Sequence, residues 1–547
     1  MANEYGNYGT FNPNNDGGSA WRPTLTNGNR TISSVANGTQ NNYHASTLFV
    51  PANDSSGFYC EFNPSAVPTA DWRFALFGDN FKYGTNSEVT NSPGAWGYNR
   101  SGTYDSQESG AGAGSASGTA WTASNIVMIL IKNGKIYFGL DGTFENSGNI
   151  ANETGYIWQN ITGNVCPGIG CNASASTFAG ELITDPALMT HQPSGTKSFG
   201  TANLPTPAII NSDDHFFSGT VATSTSSNVT TTVPFNLDDY EWLMIVKNTT
   251  STGSWVWVNS FIGTGKFIRS NGNNAQGDLD WLSVSGTTFT ISTAIGVEDT
   301  FIVEIHKAGL KSASAANTVG SLNTTETSVN ATSGFSMGVY EGEGANATIG
   351  TGLSTAYDFL AVKNLDSGQG WRNWHVGLTN GTKYARFDST AAEATEAVSW
   401  NSTAPAATVF SIGTAANTSQ DDHTILYFGW HSVPFYSAFG KYTGNGATDG
   451  AFVNLGGHPN SMFFRSQNAG DNWYYHNSSV NPTNPVTSYI AFNTTAASAS
   501  FTSHDRLSNG IKARNANSGW NFSGTVLYGA WGIRSLTDGG INQGRAK

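Results

Sequence analysis

Paired carboxylates are the residues of this sequence whose type and spacing could support catalysis. Glu341 and Glu343 stand two positions apart, so in a β-strand their side chains would lie on one face. Asp278 and Asp280 have the same spacing. Two carboxylates roughly 5 to 10 Å apart across a sugar-binding cleft can hydrolyse a glycosidic bond. Glu341 and Glu343 lie in a glycine-rich phrase, however, where a solvated strand face or a turn accounts for them better.

Acidic residues and histidines that could ligate a metal ion also recur. Asp278 and Asp280 lie in a Gly- and Asn-rich stretch that could bind Ca²⁺, but the further acids and the glycine of an EF-hand loop are missing. Two other clusters have the order Asp-Asp-His just before an apolar run: Asp213, Asp214 and His215, and Asp421, Asp422 and His423. A capping or turn role is sufficient for both clusters. We therefore predict no metal site.

Motifs of several enzyme classes are absent from the sequence. We expect no Gly-x-Ser-x-Gly nucleophile elbow, and the sequence contains no Walker loop, no His-Glu-x-x-His helix and no Cys-x-x-Cys pair. We therefore predict no catalytic residue, no cofactor and no enzymatic activity. A glycan depolymerase with an unrecognised cleft stays open as an alternative.

The composition indicates a soluble, β-rich protein with many turns. The chain has 547 residues, among them 64 Gly, with 12% aromatic and only 12% charged residues. Disordered chains have few aromatics, and long helices need many more charged residues, so both classes are excluded. The net charge of −13 and the lack of a basic run argue against a nucleic-acid partner. No apolar run reaches about 18 residues, so we expect no membrane insertion.

Cysteine is scarce, and no secretory signal is recognisable. The N-terminus has neither a basic nor an apolar region of the kind that a signal peptide requires, which predicts synthesis in a reducing cytosol. The cysteines are Cys60, Cys166 and Cys171. Cys166 and Cys171 could close a small loop, but the sequence does not show whether the geometry permits a disulfide.

Short apolar runs separated by Gly, Asn and Ser predict strands along the whole chain. Residues 57–62, 74–77 and 126–131 are typical of strands. Asn133-Gly134 between residues 126–131 and 136–140 predicts a hairpin, because both residues tolerate the positive φ of a type I′ turn.

A unit of about 100 residues then recurs three times. Each copy has a strand that ends at an asparagine, a strand that carries tryptophan, and a closing apolar strand. The asparagines are Asn248, Asn364 and Asn468, which stand 116 and 104 positions apart, and the tryptophans are Trp255, Trp374 and Trp473. Because such units exceed solenoid repeats of about 20–50 residues, we expect separate domains in a row rather than a superhelix.

These patterns predict an all-β protein with an N-terminal β-sandwich and three β-sandwich-like repeats. The expected divisions are a virion-anchoring segment 1–20, a sandwich 21–202, repeat 1 at 212–310, a linker 311–334, repeat 2 at 335–433, repeat 3 at 434–535, and a tail 536–547. Repeat 1 is the most divergent copy.

The repeats resemble a unit of tail-fibre-like proteins of marine tailed phages. The resemblance lies in the phrase Phe-x-x-Tyr/Phe-x-Gly-x-Gly, the Lys-Asn strand, the Trp strand, a Lys-Tyr pair and the closing Ala-Trp strand, and repeat 3 matches best. The N-terminal part is similar to the concanavalin-like SPRY sandwich, through residues 11–13, 25–29, 57–62, 95–98 and 134–142.

The resemblance implies a virion protein, most simply a tail-fibre or appendage protein. Its expected partners are other virion proteins and a glycan or receptor on a bacterial or cyanobacterial cell, and a homotrimer is the favoured oligomer. A capsid-decoration or head-fibre protein is the alternative. We expect the repeated tryptophans to be core anchors, and loops such as 471–473 or 477–484 to carry any exposed ligand surface.

Overall fold

The hairpin predicted at Asn133-Gly134 is present and shows how local sequence builds this protein. Strands Val127–Lys132 and Lys135–Leu140 pair continuously, from Val127 opposite Leu140 to Lys132 opposite Lys135. Asn133 and Gly134 have φ angles of 47° and 69°, as a type I′ turn requires. The prediction is therefore confirmed in its turn as well as in its strands.

A computed structural model describes most of the chain. The described residues are 9–16, 23–35, 42–67, 72–78, 81, 94–106, 118–171, 177–200, 203–204, 207–448, 450–517 and 519–535. Most of the predicted segment 1–20 and the whole predicted tail 536–547 fall outside them. The chain divides into a first unit, Met1–Thr206 with Asp449–Asn454, and a second unit, Pro207–Thr448 with Leu455–Lys547.

Antiparallel strands make up nearly all of the regular structure, so the predicted all-β class is confirmed. The strands up to residue 200 are β1 (Phe11–Asp16), β2 (Thr24–Thr26), β3 (Thr31–Val35), β4 (Asn42–Ser46), β5 (Val50–Pro51), β6 (Phe58–Ala66), β7 (Trp72–Gly78), β8 (Ala95–Asn99), β9 (Tyr104–Asp105), β10 (Val127–Lys132), β11 (Lys135–Leu140), β12 (Thr143–Phe144), β13 (Asn164–Cys171), β14 (Thr177–Ile183) and β15 (Lys197–Ser198).

These strands form two sheets with one core between them. One sheet has the order β1-β4-β13-β7-β8-β9 and the other β12-β11-β10-β6-β14-β3-β2. Trp72 of the first sheet stacks on Phe178 of the second with ring centroids 4.0 Å apart. Phe74 and Phe62 also meet across the core, tilted by 33° with ring centroids 5.2 Å apart. The first unit is thus a β-sandwich, held by aromatic residues from both inner faces.

Cys166 and Cys171 lie in one continuous strand, β13. Five residues of extended chain separate their α-carbons by roughly 16 Å. A disulfide needs α-carbons within about 7 Å. The loop closure that the sequence left open therefore does not occur between these two cysteines.

The second unit contains the three repeats. Its strands, together with the short β35 that belongs to the first unit, are β16 (Phe216–Ala222), β17 (Val229–Thr232), β18 (Tyr240–Asn248), β19 (Val256–Asn259), β20 (Lys266–Phe267), β21 (Gly277–Asp278), β22 (Leu282–Ser285), β23 (Thr288–Ile291), β24 (Thr300–Leu310), β25 (Glu326–Asn330), β26 (Phe335–Glu341), β27 (Ala347–Gly350), β28 (Phe359–Asn364), β29 (Arg372–His375), β30 (Lys383–Tyr384), β31 (Ala394–Thr395), β32 (Val409–Ile412), β33 (Thr424–Trp430), β34 (Ala438–Thr443), β35 (Phe452–Asn454), β36 (Gly457–His458), β37 (Ser461–Ser466), β38 (Tyr474–Asn477), β39 (Ser488–Ala491), β40 (Ala499–Ser500), β41 (His504–Leu507), β42 (Gly510–Ala513), β43 (Thr525–Trp531) and β44 (Arg534–Ser535). One α-helical turn, α1 (Ala416–Ser419), precedes β33.

Each repeat is built on the same sheet. The shared order is β16-β24-β18-β19 in repeat 1, β26-β33-β28-β29 in repeat 2 and β34-β43-β37-β38 in repeat 3. Strand register defines the equivalent positions, because Lys247, Lys363 and Arg465 occupy the same place opposite the closing strand.

This register corrects two assignments made from sequence. The equivalent of Trp255 and Trp473 is Trp371, which directly precedes its strand, and not Trp374. The residue equivalent to Asn248 and Asn364 in repeat 3 is Ser466, not Asn468.

The equivalent tryptophans join the repeats into a ring. Trp371 of repeat 2 donates its indole N–H to the carbonyl of Arg269 in repeat 1 at 2.8 Å. Trp473 of repeat 3 donates to Arg386 of repeat 2 at 2.6 Å. Trp255 of repeat 1 closes the cycle by donating to Ala491 of repeat 3 at 2.7 Å.

Backbone hydrogen bonds follow the same cycle. Three of them, all 2.9 Å long, link equivalent positions: Gln276 N to Leu365 O, Glu393 N to Gln467 O, and Ser498 N to Thr249 O. The three repeats are therefore arranged around a pseudo-threefold axis, and each contacts both of the others.

Aromatic side chains of all three repeats fill the centre of this ring. His306, Trp430 and Trp531 occupy equivalent positions of the closing strands. Their ring centroids lie 5.1, 5.4 and 5.4 Å apart, pair by pair. The expectation of separate domains in a row is wrong, because the repeats bury one common core.

The expected linker 311–334 is also partly ordered structure. Its residues Glu326–Asn330 form β25, which pairs antiparallel with β26 along five residues. The hydroxyl residues that suggested a linker are buried in this strand, where Thr327 Oγ1 is hydrogen-bonded to Tyr427 Oη at 3.0 Å and Ser328 Oγ accepts from the amide of Gly309 at 2.9 Å.

We predict that Trp371→Phe destabilises the protein by about 1–3 kcal/mol more than Trp400→Phe. The first change leaves the carbonyl of Arg269 without its buried donor, whereas Trp400 is equally buried and its indole N–H has no partner among the described residues. Urea denaturation of both variants measures the difference. Equal losses would show that the indole hydrogen bond contributes nothing.

We also predict that residues 335–433 do not fold alone. Excision of repeat 2 would expose Phe359, Trp371 and Trp430, which are no more than 1% exposed in the chain. Near-ultraviolet circular dichroism of this fragment should show no fixed aromatic environment, while a 207–547 fragment should show one. A cooperatively folded 335–433 fragment would contradict the shared core.

Candidate functional site

The carboxylate pair Glu341 and Glu343 lies at the exposed end of a strand. Glu341 is the last residue of β26, and both side chains are exposed. Gly342 between them is held by a hydrogen bond from its amide to the carbonyl of His423 at 2.9 Å. The pair therefore lies on a solvated turn.

Asp278 and Asp280 are likewise surface residues. Asp278 is 88% exposed at the side chain and pairs with Lys266 Nζ at 2.5 Å across the β20–β21 hairpin. A surface ion pair of this kind contributes little to stability. Within the described part of the chain, no group of three or more His, Cys, Asp or Glu side chains is placed to hold a metal ion.

The two Asp-Asp-His clusters form turns at positions that are not equivalent. Asp213 and Asp214 lie in a single 3₁₀ turn capped by Asn211, and His215 precedes an opening strand. Burial lowers the pKa of His215 to about 4, with Lys307 adding to the effect. His423 instead precedes the closing strand β33, where its Nδ1 contacts Asn364 Oδ1 at 3.2 Å.

The expectation that the chain lacks a Gly-x-Ser-x-Gly motif is wrong for one stretch of the sequence. Residues 334–338 read Gly-Phe-Ser-Met-Gly, which matches the Gly-x-Ser-x-Gly form of a nucleophile elbow. Such an elbow needs an exposed serine on a strand-to-helix turn. Ser336 lies inside strand β26, is fully buried, and its hydroxyl is hydrogen-bonded to Tyr357 Oη at 2.5 Å. The surroundings are those of a core serine.

The loops expected to carry a ligand surface, 471–473 and 477–484, are mostly half-buried. Trp473 is fully buried in the common core, as Trp255 is, which agrees with the expected anchoring role. Asn477 and Asn481 are also buried, and only Pro482 and Thr483 stand out in that segment. The exposed candidates must therefore be sought elsewhere in the repeats.

A buried polar network joins repeats 1 and 3 next to the axis. Glu304 accepts hydrogen bonds from Ser461 Oγ at 3.2 Å and from Tyr475 Oη, and it contacts His306 Nε2 at 3.0 Å. Asn477 Nδ2 donates to Tyr475 Oη at 2.9 Å. Burial, and then the Glu304 charge, raises the pKa of Tyr475 well above its usual range. No member is more than 2% exposed, so the network fixes repeat geometry and offers no access to a substrate.

Equivalent short hairpins project from the three repeats and carry one aromatic residue each. Phe267, Tyr384 and Tyr489 occupy the same position, and each faces a small residue across its hairpin: Gly277, Ala394 and Ala499. These positions follow the core strands directly, so the common core holds them in place. The aromatic residues of these outer hairpins differ in exposure, because Phe267 is buried whereas Tyr384 and Tyr489 are half-buried.

What covers the aromatic ring differs among the repeats. The Arg269 guanidinium lies 4.7 Å from the Phe267 centroid, and that of Arg372 lies 4.2 Å from Tyr384. In repeat 3 the equivalent of Arg372 is Tyr474, whose ring meets Tyr489 edge to face at 5.0 Å. Repeat 3 thus exchanges a cation for an aromatic neighbour.

A family model for proteins of unknown function matches most of the second unit. It is described as Domain of unknown function (DUF7483), and it covers residues 211–533. The chain belongs to this family. The matched residues contain all three repeats, so a DUF7483 domain in this chain is the whole three-repeat ring.

A solved structure is similar to part of the chain. The SPRY domain of human HERC1 aligns over 96% of its own length and 32% of this chain, at 11% sequence identity and a TM-score of 0.23. That TM-score is low, so the N-terminal sandwich is established by its own strand pairing and core. No curated protein matches the chain. Among the described residues, no helix is long and apolar enough to cross a bilayer.

We predict that two buried lysines make the stability of the protein rise with pH between about 8 and 10. Burial lowers the pKa of Lys247 and of Lys363 to about 8, below the value near 10.4 of an unfolded lysine. Between these values the unfolded chain binds more protons, so higher pH favours the folded state. The gain should be on the order of 1 kcal/mol per lysine, reduced by solvent screening.

The measurement compares wild type with Lys363→Met in urea at pH 7.5 and 9.5. Tyrosine ionisation in the unfolded state affects both proteins alike, so the difference between them reports the lysine. Because Lys363 Nζ donates to the carbonyls of Asn273, Asn364 and Gln369, the variant is also expected to be less stable at both pH values. Identical pH dependence in the two proteins would refute the assignment.

Proposed function

We propose that the chain is a structural protein of a tailed-phage virion, a tail-fibre or appendage protein that attaches to the host surface without catalysis. Its ligand is a glycan or receptor of a bacterial or cyanobacterial cell, and its neighbours are other virion proteins. The chains associate as homo-oligomers, with a trimer favoured. The proposal begins from the resemblance of the repeats to tail-fibre-like proteins.

The observation that carries this proposal is the closed ring of three repeats. Three tryptophan-to-carbonyl hydrogen bonds and a shared aromatic core hold the outer hairpins at fixed positions. Attachment by many weak contacts requires such a scaffold, because contacts that are held in place add without a new ordering cost for each. The same ring would suit a protein exposed to mechanical load.

The placement of titratable groups supports a non-catalytic role. The candidate acids Glu341, Glu343 and Asp278 are solvated, and Ser336 lies in the core. Buried Glu304 is occupied by hydrogen bonds inside the repeat contact. Glu341 and Glu343 are open to solvent, Asp278 is paired with Lys266 at the surface, and Glu304 and Ser336 are hydrogen-bonded in the core.

We predict that antibodies against the second unit label the tail or its appendages on virions whose genome encodes the chain. Electron microscopy with gold-labelled antibody measures the position, and virions that lack the gene are the control. Labelling confined to the capsid would indicate a head-decoration protein. Absence of the chain from virions, or release of shortened oligosaccharides when the pure protein meets host polysaccharide, would overturn the proposal.

A further inference from the structure

The hairpin of β39 and β40 in repeat 3 presents two aromatic side chains on one face. Tyr489 lies opposite Ala499, and the amide of Phe501 donates to the carbonyl of Thr487 at 2.8 Å. Because residues two apart along a strand share a face, Tyr489 and Phe501 are diagonal neighbours with α-carbons roughly 7–8 Å apart. Phe501 is 40% exposed and Tyr489 is half-buried.

The rings of Tyr489 and Phe501 both pack against a buried tryptophan. Trp520 lies 6.0 Å from the Tyr489 centroid and 5.4 Å from that of Phe501, with interplanar angles of 61° and 69°. Its indole N–H donates to Asn515 Oδ1 at 3.0 Å, and Tyr474 packs against it at 4.8 Å. The rings of Tyr489 and Phe501 are therefore held in place before a ligand binds, which lowers the entropic cost of binding.

The residues around these rings are neutral and polar. Thr487 lies opposite Phe501 on the same face and is exposed, and Asn515 is half-buried with its side-chain amide donating to the carbonyl of Thr502. The nearby charges of Arg514 and Asp505 are paired with each other. Hydroxyl and amide groups around an aromatic floor can bind a polar ligand that carries no charge.

The equivalent rings of repeats 1 and 2 lack this arrangement. Arg269 already lies over Phe267, and Arg372 lies over Tyr384 while paired with Glu396 at 2.8 Å. No guanidinium or ammonium group of the described residues lies over Tyr489 or Phe501. The cation that occupies the ring face in the other repeats is thus absent in repeat 3.

We infer that Tyr489 and Phe501, supported by Trp520, form a carbohydrate-binding site for the pyranose rings of a neutral glycan. The C–H face of a pyranose stacks on an aromatic ring, while the hydroxyl groups at its edge meet the side chains of Thr487 and Asn515. This site deepens the proposed attachment function and rests on it for its biological meaning. It also assigns the ligand surface to repeat 3 alone.

The test uses the full-length protein and four neutral polysaccharides, dextran, mannan, galactan and laminarin, in affinity electrophoresis. We expect at least one of them to retard wild type. Tyr489→Leu and Phe501→Leu should each weaken that binding about tenfold, because leucine keeps apolar area but removes the stacking face. Tyr384→Leu is the matched control and should bind as wild type does.

Thermal unfolding of each variant establishes that it is folded, and Phe501→Leu, at an exposed position, keeps the test valid if Tyr489→Leu unfolds. Binding by none of the four polysaccharides overturns the inference. So does unchanged binding by folded Phe501→Leu, or an equal loss in Tyr384→Leu. Preference for dextran sulfate over dextran would overturn the neutral character of the site.

The site and the proposed function can fail separately. If the chain is found in virion tails but Tyr489→Leu and Phe501→Leu bind polysaccharide like wild type, the site is wrong and the attachment role stands. If the two variants lose polysaccharide binding but the chain is absent from virions, the site stands and the attachment role is wrong.

Discussion

The indole N–H of one tryptophan in each repeat, bonded to a backbone carbonyl of another repeat, is the interaction on which the second unit depends. A buried carbonyl without a donor costs roughly 1–3 kcal/mol, so each of Trp255, Trp371 and Trp473 binds its repeat to a defined neighbour. Three such bonds in a cycle fix both the number of repeats and their order around the axis. The acceptor carbonyls of Arg269, Arg386 and Ala491 lie at or just after the first strand of each outer hairpin, so the positions of the hairpins depend on the same bonds.

The residues at the pseudo-threefold axis differ among the repeats, although the same cycle of hydrogen bonds closes the ring. Repeats 2 and 3 place Trp430 and Trp531 there, whereas repeat 1 places His306. Beside it, Glu304 stands where repeat 2 has Phe428 and repeat 3 has Gly529. A buried carboxylate is tolerated only when hydrogen bonds replace its water, and Ser461 and Tyr475 of repeat 3 supply them.

Local features of this fold could be predicted from sequence, and the arrangement of the repeats could not. The hairpin at Asn133-Gly134 could be predicted because Asn and Gly tolerate the positive φ angles of a type I′ turn. The equivalent tryptophan of repeat 2 could also have been recognised from sequence. Trp255, Trp371 and Trp473 each stand eight positions after Lys247, Lys363 and Arg465. The neighbour that each tryptophan contacts is set by packing between distant segments, and strand spacing carries no signal for it. The aromatic site of repeat 3 could not be predicted for a similar reason, because Trp520 and Phe501 are brought together only by the fold.

A ring made from one chain differs in its evolutionary freedom from a ring made of three identical chains. In a homotrimer every substitution appears three times, so a change that suits one contact is imposed on all of them. Here the hairpins of repeats 1 and 2 can keep the arginine over their aromatic ring while the hairpin of repeat 3 acquires new side chains. The surface of one repeat can therefore change while the other two repeats continue to stabilise the ring.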